Sequence, residues 1–284
     1  MVRRIHWCGF SIASVCAALS LARSTYYAFE KSLKSEQAQE DDRLSELVTN
    51  VFHQHHGRYG ARRISKELSR QGETCSRRRT GKLLKNSGLR AIQPRSYQPK
   101  TTESRHGLGY NENLLLDISP PVQINQVWVG DISYIPLKGG AFSYLAILMD
   151  LCSRMIVIWN IQKTMKEELV LSCLRKAIQS REVKPGLIHH TDRGGQYAGK
   201  AYRRLLSQWK IQQSMSRPDN CYDNAFMESC FGTLKRELEM EIYDDFQTAR
   251  KEIATYVRYY NRERIHSSLE YQTPEEFEQN QSTK

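Results

Sequence analysis

The chain has 284 residues and a net charge of +11, long enough for one sizeable core with small satellite units and basic enough to point to a polyanionic partner. The excess is local: residues 1–110 hold 20 Lys and Arg against 9 Asp and Glu, whereas residues 111–284 hold 22 of each sign. Seven scattered cysteines with no C-x-x-C pair argue against a disulfide framework or a zinc ribbon, so a reducing compartment is the default.

At the N-terminus, Arg3 and Arg4 before an uncharged run over residues 5–22 have the outline of a secretory signal. Ser11, Ser14 and Ser20 dilute that run, and SVCAALSLARSTYY reads equally well as a short helix, a turn and a second helix. No later stretch is apolar enough to span a membrane. Leu44, Leu47, Val48, Val51 and Phe52 recur at helical spacing, which closes a first helical region over residues 1–52. Residues 53–93 follow as a helix, a tight turn and a second helix: Ile64 and Leu68 share a face, Gly72 stops the first helix, and Ser76 caps SRRRTGKLLKN. From Arg58 to Lys100 there are 13 basic residues opposed only by Glu67 and Glu73. That balance on a helix-turn-helix pattern predicts duplex DNA docking through Arg62, Arg63, Arg77, Arg78, Arg79 and Lys82.

Four prolines in a polar stretch mark residues 94–121 as a linker. Three β-branched and aromatic runs then read as strands, VWVGDISYIPL, FSYLAILMD and RMIVIWNI. MKEELVLSCLRKAIQSRE is helical, LIHHTD a strand, AYRRLLSQW a helix and IQQSMS a fifth strand. A strand meander followed by alternation with helices predicts a mixed five-stranded α/β sheet flanked by helices, over residues 122–240. YDNAFMESCFGTLKRELEM and FQTARKEIATYVRYYNRER supply two further helices, the second opening a C-terminal helical extension over residues 241–284.

Asp192 lies at the C-terminal end of a strand, where the loops of an open α/β sheet converge on ligands. Alone it could simply cap the next helix. Asp131 interrupts an apolar strand, and a carboxylate there needs a partner or a metal. Helix phase supplies a third acid. With Met227, Phe231, Leu234 and Leu238 as the core stripe, Glu228, Asn224 and Lys235 share a flank that can reach the sheet edge. Three carboxylates from two strands and a helix can hold two Mg²⁺ ions about 3.5–4 Å apart, with Mn²⁺ as a substitute, for phosphodiester transfer.

The segments W128-V-G-D131-I-S-Y, H190-T-D192-R-G-G-Q-Y197, S-M-S-R217, D223-N-A-F-M-E228-S, L234-K-R-E237 and Y260-N-R-E-R-I-H-S-S-L269 resemble the DDE transposases of bacterial insertion sequences. The group is insertion sequence family three, second-frame (OrfB-type) product, whose catalytic core is that of retroviral integrases. Asp192 and Glu228 are separated by 35 residues, as in that group's Asp-Asp-35-Glu signature, and Asp131 matches the first acid. YGARRI and ARSTYY extend the likeness over most of the chain. The resemblance implies a ribonuclease-H-like core, with Asp131, Asp192 and Glu228 as catalytic and metal-binding residues. It also implies Mg²⁺-dependent cleavage at element ends and strand transfer by the freed 3′-OH. Asn224 and Lys235 would contact DNA. It further implies oligomers on DNA, a cytoplasmic, nucleoid-associated location, and fusion with the upstream frame product. A catalytically silent DNA-binding regulator is the alternative. Two departures stand out: Asp219-Asn220 where the family usually has Gly-Asn, and Cys230 where it has an aromatic residue. His189 and His190 are expected to pack or hydrogen-bond rather than bind metal.

Overall fold

The computed structural model describes residues 9–32, 36–93, 109–116, 118–218, 221–239 and 242–282, with only the backbone at 32, 221, 222 and 282. Arg3, Arg4 and the Asp219-Asn220 pair therefore lie outside the described residues. The chain divides into two compact units, residues 1–91 and 92–284.

In the first unit, α1 (Ile12–Ala18) and α2 (Arg23–Ser32) form the helix-turn-helix read from SVCAALSLARSTYY, with Val15, Cys16 and Tyr26 as their small core. Ser11 caps α1, its hydroxyl accepting from the Ser14 N–H at 3.1 Å. Then come α3 (Glu36–Gln54), α4 (Ala61–Arg70) and α5 (Arg77–Asn86). Ser76 caps α5, accepting from the Arg79 N–H at 3.2 Å. A boundary at residue 52 is not tenable, because it falls inside α3, which packs against both α4 and α5. Leu44, Val48, Val51 and Phe52 of α3 bury with Ile64, Leu68, Leu83 and Leu84, so the basic helix-turn-helix needs α3 for its core.

The second unit is built on β1 (Val127–Pro136), β2 (Phe142–Asp150), β3 (Ile156–Gln162), β4 (Ile188–Thr191) and β5 (Gln212–Met215). The sheet order is β3-β2-β1-β4-β5. The β1–β2 and β2–β3 pairs are antiparallel, and β1–β4 and β4–β5 are parallel. Helix α6 (Glu167–Ser180) buries Leu169, Val170, Leu174 and Ala177 against the sheet; α7 (Gly195–Ala198) and α8 (Lys200–Gln208) add Tyr197, Tyr202 and Leu206 to the same core. Helices α9 (Ala225–Glu237), α10 (Phe246–Arg262) and α11 (Pro274–Ser282) complete the unit. This is the expected mixed five-stranded sheet with helical flanks.

Two expectations are refined. Of the predicted linker, residues 94–108 lie outside the described residues, but 109–116 run along β5. The Met215 N–H donates to the Glu112 carbonyl at 3.2 Å, and the Leu114 N–H to the Ser214 hydroxyl at 2.9 Å. An edge strand with open backbone groups is thereby covered. Helix α11 lies in the expected helical extension, but its bounds were not read from the sequence. Its signal is the Thr273-Pro-Glu-Glu276 start, a capping box in which the Thr273 hydroxyl accepts from the Glu276 N–H at 3.2 Å and Glu276 accepts from the Thr273 N–H at 2.9 Å.

Candidate active site

Gly130 pairs with Thr191, the last pair of the parallel β1–β4 ladder. Asp131, inside β1, and Asp192, the first residue past the end of β4, follow that pair, so the two acids stand near one level on neighbouring chain segments, with strands about 4.8 Å apart. Close approach of backbone to side chain favours glycine at two positions here. A Cβ on Gly130 would come within 3.0 Å of the buried His189 ring, which is held by the Tyr202 hydroxyl at 2.6 Å. A Cβ on Gly194 would lie 3.0 Å from Asp192 Oδ1, the atom that accepts the Gly194 N–H at 3.0 Å. Asp192 thus closes a local turn. Helix α7 is capped by Gly194 without any side-chain bond, so Asp192 is not its N-cap.

Asp131 is half-buried and accepts the Ile132 N–H at 2.7 Å. Burial, then the charge of Asp192, push its carboxyl well above the ordinary carboxylate range; Glu228 adds to the rise, while the Ile132 N–H and Lys235 oppose it. Two acids placed so that one cannot ionise freely beside the other favour a cation between them. The histidines behave otherwise. His189 and His190 are fully buried, and burial lowers both to about 4. The His190 ring meets the Ser214 and Ser216 hydroxyls at 2.8 and 3.2 Å, so both imidazoles pack and hydrogen-bond inside the sheet.

Helix α9 packs against β1 through Met227, Cys230, Phe231 and Leu234. It is shorter than expected: residues 221–224 form a 3-10 turn, and Leu238, placed in the core stripe by phase, is the half-buried C-cap. Cys230 and Glu237 are buried instead, which rotates the buried face away from Glu228. Glu228 is exposed and Lys235 half-buried, both near enough to act on the Asp131 carboxyl. Asn224 departs from the expected open flank. It is only 8% exposed, because it sits in the 3-10 turn rather than in helical phase, and its Oδ1 meets no partner among the described residues. Cys230 fills a buried site, and burial pushes its thiol up to about 12.

Asp192 and Glu228 both act on the Asp131 carboxyl. Among the described residues, however, no three His, Cys, Asp or Glu groups stand at ion-holding spacing. The repulsion that raises Asp131 also opposes closer approach of three like charges.

In the first unit Arg62, Arg77, Arg78 and Lys82 are exposed. Arg79 differs from these: its guanidinium pairs with Asp41 at 2.7 Å and ties α5 to α3. Arg63 is half-buried with its guanidinium over the Tyr59 ring, 5.5 Å from the centroid. The sequence reading also missed Asp223. Its side chain is 4% exposed and takes the Arg217 N–H at 2.9 Å and the Arg217 guanidinium at 3.0 Å, tying Arg217 to the turn before α9.

Residues 121–221 match the integrase core domain family, residues 209–274 a second integrase core domain family, and residues 39–97 an HTH-like domain family. The chain is 42% identical over 246 residues to the transposase for insertion sequence element IS904 of Lactococcus lactis, covering 86% of this chain and 96% of that protein. It is 35% identical over 277 residues to transposase InsF for insertion sequence IS3A of Escherichia coli, covering 96% of each. Among solved structures, the HTLV-2 integrase catalytic core domain in complex with magnesium aligns at 16% identity and TM-score 0.44, over 54% of this chain and 96% of that one. With relatives this similar along nearly their whole length, the chain belongs to the IS3 family of insertion-sequence transposases.

Proposed function

We propose that this chain is a DNA transposase that cuts a phosphodiester at the ends of its element and joins the freed 3′-OH to a second phosphodiester, with Asp131, Asp192 and Glu228 as the catalytic acids. One observation carries the reading: Asp131 in β1 and Asp192 just past β4 directly follow the paired residues Gly130 and Thr191 of adjacent parallel strands, and the charge of Asp192, added to burial, raises the Asp131 carboxyl. The donors fit a hard divalent cation, since all three are carboxylates and the neighbouring imidazoles are engaged elsewhere. Asp131, Asp192 and Glu228 would hold two Mg²⁺ or Mn²⁺ ions. When bound, such ions lower the pKa of an attacking water or hydroxyl and neutralise charge on the reacting phosphodiester.

The protein's own groups do the rest. Gly130 and Gly194 let the backbone close on His189 and Asp192 beside the two aspartates. Lys235, seven residues after Glu228, lies two turns along the same helix face and would meet a DNA phosphate. Arg62, Arg77, Arg78 and Lys82 would dock the exposed side of the helix-turn-helix on duplex DNA, Arg77 and Arg78 from the first turn of the second helix. Asn224 would reach DNA only after the 3-10 turn opens. Among the described residues no helix is long and apolar enough to cross a membrane. The reading includes action as an oligomer on DNA in the cytoplasm, with part of the protein fused to the upstream frame product; immunoblotting cells for a longer species tests the fusion. The test of function is a labelled element-end oligonucleotide with Mg²⁺ or Mn²⁺: wild type should nick it, and Asp131→Asn, Asp192→Asn and Glu228→Gln should bind it without nicking. Cleavage that persists in excess chelator would contradict the reading.

A further inference from the structure

Glu237 and Arg264 are 3% exposed each, yet both carry charge. The Arg264 guanidinium donates to Glu237 through Nε at 2.9 Å and Nη2 at 2.8 Å, and the Tyr256 hydroxyl donates to the same carboxylate at 3.1 Å. Arg264 also meets the His266 ring at 3.2 Å. A buried ion pair is weak support for stability, since apolar residues of like volume often serve as well. Its place in the fold gives it another use. Glu237 ends α9, nine residues beyond Glu228 and about 13 Å along the axis. Arg264 lies just past α10, and α10 is pinned to the sheet. Asn261 accepts the Ile156 N–H and donates to the Ile156 carbonyl, both at 3.0 Å, and the Tyr260 hydroxyl meets Met149 Sδ at 3.9 Å.

We propose that the Glu237–Arg264 pair is a positioning device that sets the rotation of α9, and through it the place of Glu228, from the end of the helix remote from the reaction. The chain of contacts runs from β2 and β3 through α10 to Arg264, Glu237 and α9. It is directional, where the apolar contacts of Met227, Phe231 and Leu234 tolerate slippage. Side chains stand about 5–6 Å from a helix axis, so a turn of about 20° would carry the Glu228 carboxylate roughly 2 Å. Misplacement of about 1 Å can cost about 10²-fold in rate. The pair thus explains why two charges are kept where a hydrophobic contact would fold as well. This inference rests on Glu228 being one of the catalytic acids.

The test uses the full chain and the paired variant Glu237→Leu/Arg264→Met, which removes both charges and leaves neither partner buried alone. Thermal midpoint and KM for the element-end oligonucleotide should stay near wild type, while kcat falls about tenfold or more. Amides of residues 225–237 should exchange faster by about tenfold, with β1 and β4 unchanged. Tyr256→Phe, which deletes one hydrogen bond and no charge, should move kcat in the same direction by about threefold, and it serves alone if the paired variant does not fold. Unchanged kcat and unchanged exchange in whichever variant folds would overturn the proposal. Glu228→Gln is assayed in parallel. Should it cleave normally, the catalytic reading fails, and the exchange data still decide whether the pair holds the helix.

Discussion

Helix α9 carries a glutamate near each end, and the two have opposite environments. Glu237 is buried and saturated by Arg264 and Tyr256, whereas Glu228 is exposed on the edge where Asp131 and Asp192 emerge. The same side chain thus serves two purposes nine residues apart. Where a protein cation neutralises the acid it fixes structure, and where the acid stands among like charges it would, in the proposed function, help hold an external cation. A second contrast runs parallel in the basic unit: Arg79 is committed to Asp41, while Arg77 and Arg78 are exposed in the same helical turn.

Neutralising each glutamate alone should separate the two roles most clearly. Glu228→Gln should reduce strand cleavage on the order of 10³-fold or more while the thermal midpoint and DNA affinity hold. Glu237→Gln should instead cost about 3–5 kcal/mol in denaturant titrations, because Arg264 is left buried without a counter-charge. If the two variants showed the same phenotype, the division of roles would be wrong. Phe231→Ala, which opens a cavity between α9 and the sheet, should cost about 3–5 kcal/mol, separating packing from charge at the middle of the same helix.

Titration sharpens the contrast between the acid edge and the buried histidines behind it. Asp131 titrates higher folded than unfolded, so its contribution to stability declines as pH rises from the ordinary Asp range through the raised value. Asp131→Asn should remove that decline and raise the neutral-pH thermal midpoint, by about 2–4 °C for each kcal/mol relieved. His189 and His190 have the opposite sign. Their contribution is complete above 6.5 and is lost as pH falls toward about 4, so stability measured across that interval should drop with acid. The smallest effect belongs to the basic unit. Arg77→Ala with Arg78→Ala should flatten the salt dependence of DNA binding by about 0.9 in log–log slope for each phosphate no longer neutralised. Arg79→Ala should leave the slope nearly intact and loosen the packing of α3 on α5, read as a lower unfolding midpoint.

Much of this was legible in the chain because it rests on local periodicity. The five strands, the amphipathic face of α9 and the Ser76 cap all follow from spacing within one element. Asp131 announced itself by interrupting an apolar strand, and register then placed it beside Asp192. What stayed hidden depends on partners distant in sequence. Arg79 looked like its two neighbours until Asp41, 38 residues earlier, met it; Arg264 and Glu237 are 27 apart; and the edge of β5 is covered by residues about 100 positions upstream. Asn224 was misjudged for a different reason, since helical phase was extended into a 3-10 turn where it does not apply.

In the proposed function, Asp192 and its two partner acids perform metal-dependent chemistry on DNA. Single-turnover cleavage of a labelled element-end oligonucleotide by wild type and Asp192→Asn, each with Mg²⁺, Mn²⁺ and excess chelator, tests it most directly. Wild type should cleave with either metal and not with chelator, and Asp192→Asn should not cleave although its DNA binding is retained. Equal cleavage by the two proteins, or cleavage that survives chelation, would contradict it.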